Sequence, residues 1–225
     1  MFNGVYQIDD FIEAVKIYGR NFFRLILPFI LFFGLSLGAG FYEPTEVLLI
    51  KAITGLILGL FGLFAAGNAV IDTWGAFSGL EFDLSENWKY AWRKFPVLLS
   101  STAIVIVPWL LIFYLFLNFF SFLLFVVLAV YPFFFTYLIP SLLIGENGPL
   151  SGIKESFQTS LSNSTRTAVV TYLPCFLVVG LISIEIYSPI VLLIAPAWLV
   201  LVTVTYCKSN QCSGPVEDFN QRRST

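Results

Sequence analysis

A chain of 225 residues that is 58% hydrophobic and only 12% charged, with a mean hydropathy of +0.86, lacks the charge to cover a water-facing surface, because soluble domains carry about 25% charged residues. Its net charge of −2 excludes electrostatic capture of nucleic acid, which needs a basic surface. With no histidine and 3 cysteines, it lacks the commonest general base and metal ligand and an even disulfide framework, so no catalytic residue, metal or cofactor is expected.

The N-terminal segment carries Asp9, Asp10 and Glu13, unlike the basic start of a cleaved signal. The first apolar run is therefore expected to remain as an anchor. Asp10 and Glu13 have the spacing of a capping box. After them Phe11, Ala14, Val15, Tyr18 and Phe22 fall on one helical stripe, opposite Glu13, Lys16 and Arg20, which predicts a short amphipathic helix in the membrane interface.

Apolar runs over 21–40 and 47–71 follow, the second interrupted by Lys51. Each has the length of about 20 residues that crosses a hydrocarbon core. Gly34 and Gly38 in the first, and Gly55, Gly59 and Gly62 in the second, form small-residue faces that allow close helix approach. They are expected to pack the two runs together or to serve a homodimer. Asn68 and Asp72, at the end of the second run, are the candidate polar site. Asp72 is solvated, paired with Arg20 or Arg24, or turned inward to hold a cation or proton.

A second surface segment, Asn87-Trp-Lys-Tyr-Ala-Trp-Arg-Lys-Phe95, has Ser85 as a candidate N-cap and leads into runs 96–117 and 119–144. A third begins at Ser151. Leu150, Ile153, Phe157 and Leu161 line one side of it and Lys154, Glu155 and Gln158 the other, before runs 168–184 and 189–206. Tyr42, Trp74, Trp88, Trp92, Tyr187 and Tyr206 near the run ends read as an interfacial aromatic belt. Residues 207–225 form a polar tail.

The three surface segments share a register: Phe11, Trp88 and Ile153 each precede a small residue by three, at Ala14, Ala91 and Ser156. Pro28, Pro108 and Pro174 follow at similar depth in the next run. The expected fold is all-α. It is a polytopic membrane protein of six transmembrane helices, built as three repeats (about 9–80, 84–145 and 150–206) of an interfacial amphipathic helix plus a transmembrane hairpin, within one membrane domain, 1–206. Continuous apolar runs of this length fit helices and not barrel strands. Of the 12 Lys and Arg, all but Lys51 fall on the side of the termini and long loops, which predicts cytoplasmic termini in the cell membrane.

The stretch Tyr137-Leu-Ile-Pro-Ser-Leu-Leu-Ile-Gly-Glu-Asn-Gly-Pro-Leu-Ser-Gly-Ile-Lys-Glu-Ser-Phe-Gln-Thr-Ser-Leu-Ser-Asn163 resembles the six-span membrane domain found fused to some glycerophosphodiester phosphodiesterases, and its stand-alone relatives. The segment Ala91-Trp-Arg-Lys-Phe95 echoes it. The resemblance covers about residues 9–206 and implies topology. It implies no phosphodiesterase chemistry, since no soluble catalytic domain is present.

Two functions follow as expectations. The first is a non-enzymatic scaffold or accessory subunit of a membrane assembly, with the bilayer, other subunits or further copies of itself as partners. The alternative is a transporter or channel for a lipid or small apolar solute, with a cavity lined by Ser100, Thr136 and Thr171.

Overall fold

The computed structural model describes residues 4–42, 48–80, 83–117, 130–145, 147–183 and 189–210. Among them every regular element is helical: α1 (Gly4–Arg20), α2 (Phe22–Tyr42), α3 (Leu48–Ser78), α4 (Leu84–Leu117), α5 (Leu138–Leu143), α6 (Pro149–Ser162), α7 (Ser164–Ser183) and α8 (Pro189–Asn210). The hairpin turns expected near Asn118, at 41–46 and at 185–188 lie mostly outside the described residues. So do the Lys51 side chain and the tail beyond 210.

Asparagine marks the passage from surface helix to apolar helix twice. Asn21 separates α1 from α2, and its side-chain amide donates to the Ile17 carbonyl at 3.2 Å. Asn163 separates α6 from α7 with φ −120° and ψ 41°, its amide donating to the Thr159 carbonyl at 3.3 Å. A short polar side chain that bonds nearby backbone lets the chain leave helical geometry. No asparagine stands at the middle passage. There the expected surface segment and run 96–117 are one continuous helix, α4, with Pro96 inside it.

The opposite difference occurs in run 119–144. Residues 130–135 are helical, Thr136 and Tyr137 form a turn, and α5 follows. Pro140 explains the break, because it has no N–H for the Thr136 carbonyl and its ring crowds that oxygen. At its other end, run 189–206 extends to Asn210.

The helix starts also differ from expectation. Asp10 lies inside α1, not at its cap. Asp83, not Ser85, starts α4: its N–H donates to Glu86 Oε2 at 3.3 Å, its carbonyl accepts from the Glu86 N–H at 3.1 Å, and Ser85 Oγ donates to its carboxylate at 2.8 Å. Gly148 caps α6, with Pro149 in the first helical position, where a missing N–H costs nothing.

α3 is the central element, packed against α2, α4 and α8, and α8 also packs against α1. Its end is a Schellman turn: Gly79 takes φ +70° and the Leu80 N–H donates to the Gly75 carbonyl at 2.8 Å. The core gathers Leu25, Val70, Ile71, Leu98, Leu142 and Tyr137. Tyr206, expected in an interfacial belt, belongs to that core and packs against Tyr137.

The amphipathic segments carry three faces each, not two. In α1, Asp10, Ala14 and Ile17 are buried, Ile8, Phe11, Ile12 and Val15 are exposed and apolar, and Asp9, Lys16 and Arg20 are exposed and charged. The stripe expected from the sequence therefore splits, with Ala14 turned inward and Phe11 and Val15 outward. The start of α4 repeats this arrangement, with Asn87 and Ala91 buried, Trp92 exposed, and Lys89 and Arg93 on the third face. In α6, Gly152, Ser156, Thr159 and Ser160 are buried, Leu150, Phe157 and Leu161 exposed, and Lys154 and Gln158 polar and exposed. Ala14, Ala91 and Ser156 are 4%, 0% and 0% exposed, so each small residue stands on the face of its helix that neighbouring helices cover.

Gly152 shows how close that approach is. A methyl group there would run into the Leu142 side chain, which is itself fully buried and cannot swing away. Glycine to alanine gains about 1 kcal/mol of helix propensity, but overpacking costs about 1–3 kcal/mol. Gly152→Ala should therefore lower the midpoint of thermal unfolding in detergent, whereas Gly59→Ala, at a position with nothing within 4 Å, should raise it or leave it unchanged.

Candidate polar site and the ion-paired helix ends

Asn68 and Asp72 are one helical turn apart on α3, and both are buried. The Asp72 side chain is only 4% exposed. Its Oδ1 meets Arg24 Nη2 of α2 at 3.2 Å and also accepts a hydrogen bond from Asn87 Nδ2 of α4. Of the two pairings open to it in the sequence, Asp72 makes the one with Arg24. One buried carboxylate oxygen thus joins three helices. The other, Oδ2, has no hydrogen-bond partner among the described residues, nor has Asn68 Oδ1, while Asn68 Nδ2 donates to the Phe64 carbonyl at 2.9 Å. A cavity of about 490 Å³ opens here, lined by Arg20, Asn21, Arg24, Asp72, Gly79 and Asp83 among others.

A second charged cluster was not anticipated from the sequence. Asp10, 3% exposed, pairs through Oδ2 with Arg166 Nη2 at 3.2 Å and through Oδ1 with Lys208 Nζ at 3.2 Å. Lys208 also reaches Glu13 Oε2 at 2.6 Å. These contacts tie α1 to the start of α7 and the end of α8. The available signal was the spacing of Asp10 to Ala14, four residues, which puts the carboxylate on the same face as the buried small residue. Partial burial pulls the Lys208 ammonium down, but its hydrogen bonds to Glu13 and Asp10 and their negative charges outweigh this. Its pKa therefore lies above the ordinary 10.5.

The glycine faces are used unevenly. Gly62 lies against the Phe32 ring, a Cβ there being 3.4 Å from it. Gly34, Gly55 and Gly59 have nothing within 4 Å of a Cβ position, so the close approach expected of these three between the first two runs is not made with any described residue. The surroundings of Gly38 lie outside the described residues.

The hydroxyls suggested as a cavity lining close on protein atoms. Thr136 Oγ1 donates to the Pro132 carbonyl at 2.8 Å, which leaves it to accept the Thr171 hydroxyl at 2.5 Å. Ser100 Oγ donates to the Val97 carbonyl at 3.1 Å. Thr203 and Thr205 donate to carbonyls four residues back, at 2.7 and 2.8 Å. Among the described residues no cluster of three or more His, Cys, Asp or Glu has the arrangement of a metal site. Cys207 is buried.

Comparison with family models, curated proteins and solved structures finds no match to this chain.

Two measurements test the ion-paired ends. Breaking a buried pair costs about 3–5 kcal/mol and an exposed one about 0–1. Asp10→Ala should therefore lower thermal stability far more than Glu13→Ala. For Lys208, a folded-state pKa above the unfolded one means its contribution is complete below about pH 10.5 and lost as pH rises through the folded value. The wild-type melting temperature should fall in that alkaline range. Lys208→Met should be less stable at neutral pH and should show a flatter alkaline limb.

Proposed function

We propose that this chain is a six-span integral membrane protein, three repeats of an interfacial helix plus a transmembrane hairpin, acting as a non-enzymatic scaffold or accessory subunit of a membrane assembly. Ile53–Ser78 within α3 is long and apolar enough to cross a membrane, with mean hydropathy 1.9. Only 28% of its most apolar stretch is buried, whereas the core helix of a water-soluble protein is mostly covered. Leu56 and Phe23 stand 65% and 85% exposed, a state that favours lipid over water by the transfer energy of each side chain.

The three-faced helices support the same placement. A helix at the edge of a bundle and in the plane of the interface has three surroundings, namely protein, acyl chains and cytoplasm. α1, the start of α4 and α6 each offer one face to each. The positive residues on their third faces favour a cytoplasmic position for this end and for both termini in the cell membrane. The resemblance to the six-span domain fused to glycerophosphodiester phosphodiesterases agrees with this layout.

The scaffold reading rests on the hydrogen bond between Thr136 and Thr171. The hydroxyls expected to line a conduit are engaged by each other and by backbone, which supports a packed interior over a polar lining there. The second reading, a carrier for lipid, is favoured by the cavity at Asp72. Reconstituted into liposomes, the chain should give no solute leak or lipid movement above protein-free vesicles. A photo-reactive side chain at Lys16 or Gln158, exposed on the faces assigned to the cytoplasm, should cross-link to protein in native membranes. Sustained flux that Thr136→Val abolishes would sink the scaffold reading. Cysteines placed at Lys89 and Lys154 should react with an impermeant thiol reagent from the cytoplasmic side alone.

A further inference from the structure

We propose that the cavity between α1, α2, α3 and the start of α4 binds the headgroup of a phospholipid bearing a primary ammonium, its phosphate on Arg20 and its ammonium on Asp72 and Asp83. The inference rests on the membrane placement above. It starts from Asp72, a buried carboxylate that lines a cavity of about 490 Å³ and whose Oδ2 has no hydrogen-bond donor among the described residues. A buried charged acceptor without a donor is costly, and an ammonium supplies three donors. Water alone would satisfy the oxygen, but the charges around it narrow the choice.

Arg24 is already balanced by Asp72 at 3.2 Å. Arg20, exposed at the rim, forms no ion pair with a described residue. Asp83 lines the same cavity and carries the second carboxylate. Two cations and two anions line the site and leave it neutral overall. A zwitterion with a phosphate at one end and an ammonium at the other matches that pattern without leaving net charge. A guanidinium is well suited to phosphate. A quaternary ammonium has no N–H and cannot satisfy Asp72 Oδ2, so the site should prefer ethanolamine over choline headgroups.

The surroundings point to a lipid as the source. Next to Arg24, the exposed apolar side chains Phe23, Leu27, Ile30 and Leu31 run along one outward face of α2. Acyl chains can lie along this face while the headgroup enters the cavity.

The test is native mass spectrometry of the full chain in detergent, titrated with dihexanoyl phosphatidylethanolamine, dihexanoyl phosphatidylcholine and free phosphoethanolamine. The ethanolamine lipid should bind about tenfold more tightly than the choline lipid, the change expected of one charge-assisted hydrogen bond. Asp72→Asn should erase that preference, and Arg20→Gln should weaken both lipids alike. Asp83→Asn, which keeps the helix cap, should partly reduce the preference. Equal binding of the two lipids to the wild type overturns the proposal. Free phosphoethanolamine binding as tightly as the lipid also overturns it, in favour of a soluble ligand. If Asp72→Asn does not fold, unchanged affinity and preference in both Arg20→Gln and Asp83→Asn overturn it. Carbonate washing separates the two levels. A chain released from membranes refutes the membrane placement, whereas an anchored chain without headgroup preference refutes this site alone.

Discussion

The ion pairs of Asp10 hold the described fold closed. A carboxylate in a nearly water-free position is tolerated only when cations come to it, and here they come from Arg166 and Lys208. That requirement brings α1 against α7 and α8, so the beginning and end of the described chain meet. Ala14 and Ile17 on the same face then pack into the core beside Tyr18 and the α8 residues. Without Asp10 buried, the first helix would have only a narrow apolar strip to hold it against the others.

Asp72 has a related role in the neighbouring helices, joining α2, α3 and α4 through a single oxygen. Among the described residues, Asp10 and Asp72 are the buried carboxylates. They differ in a respect that bears on function. Both oxygens of Asp10 are engaged by protein cations, which makes it a fastener. Asp72, which lines a cavity, keeps one oxygen without a hydrogen-bond partner among the described residues, which is why the proposed ligand is placed there.

Small residues do the complementary work. Ala14, Ala91 and Ser156 are buried in three different helices, and Gly152 leaves room for Leu142. Ser156 also donates to the Phe134 carbonyl at 2.9 Å, next to the turn that Pro140 forces. In that turn Ser141 Oγ faces both the Leu138 and Gly152 carbonyls at 2.9 Å. A break in an apolar helix frees backbone carbonyls, and these serines supply the hydrogen bonds that make the break tolerable in a poorly hydrated place.

Composition and periodicity alone determined that the chain is helical and where its apolar runs lie, and singled out Ala14, Ala91 and Ser156, each of which is buried. Such features depend on residues close in sequence, and helical periodicity records them directly. Which face of each surface helix turns inward was only partly legible. Two faces of α1 are apolar, and the sequence pattern merges them into one stripe. The role of Asp10 was hidden for a stronger reason: capping-box spacing is a local pattern, but Arg166 and Lys208 lie more than a hundred residues away, and only the packed structure brings them together. The same holds for Arg24 and Asn87 at Asp72, for Tyr206 in the core, and for Gly34, Gly55 and Gly59, whose small size permits a close approach but does not choose a partner. Local spacing decides what a residue is able to do, while burial, which depends on every helix at once, decides which of those abilities is used.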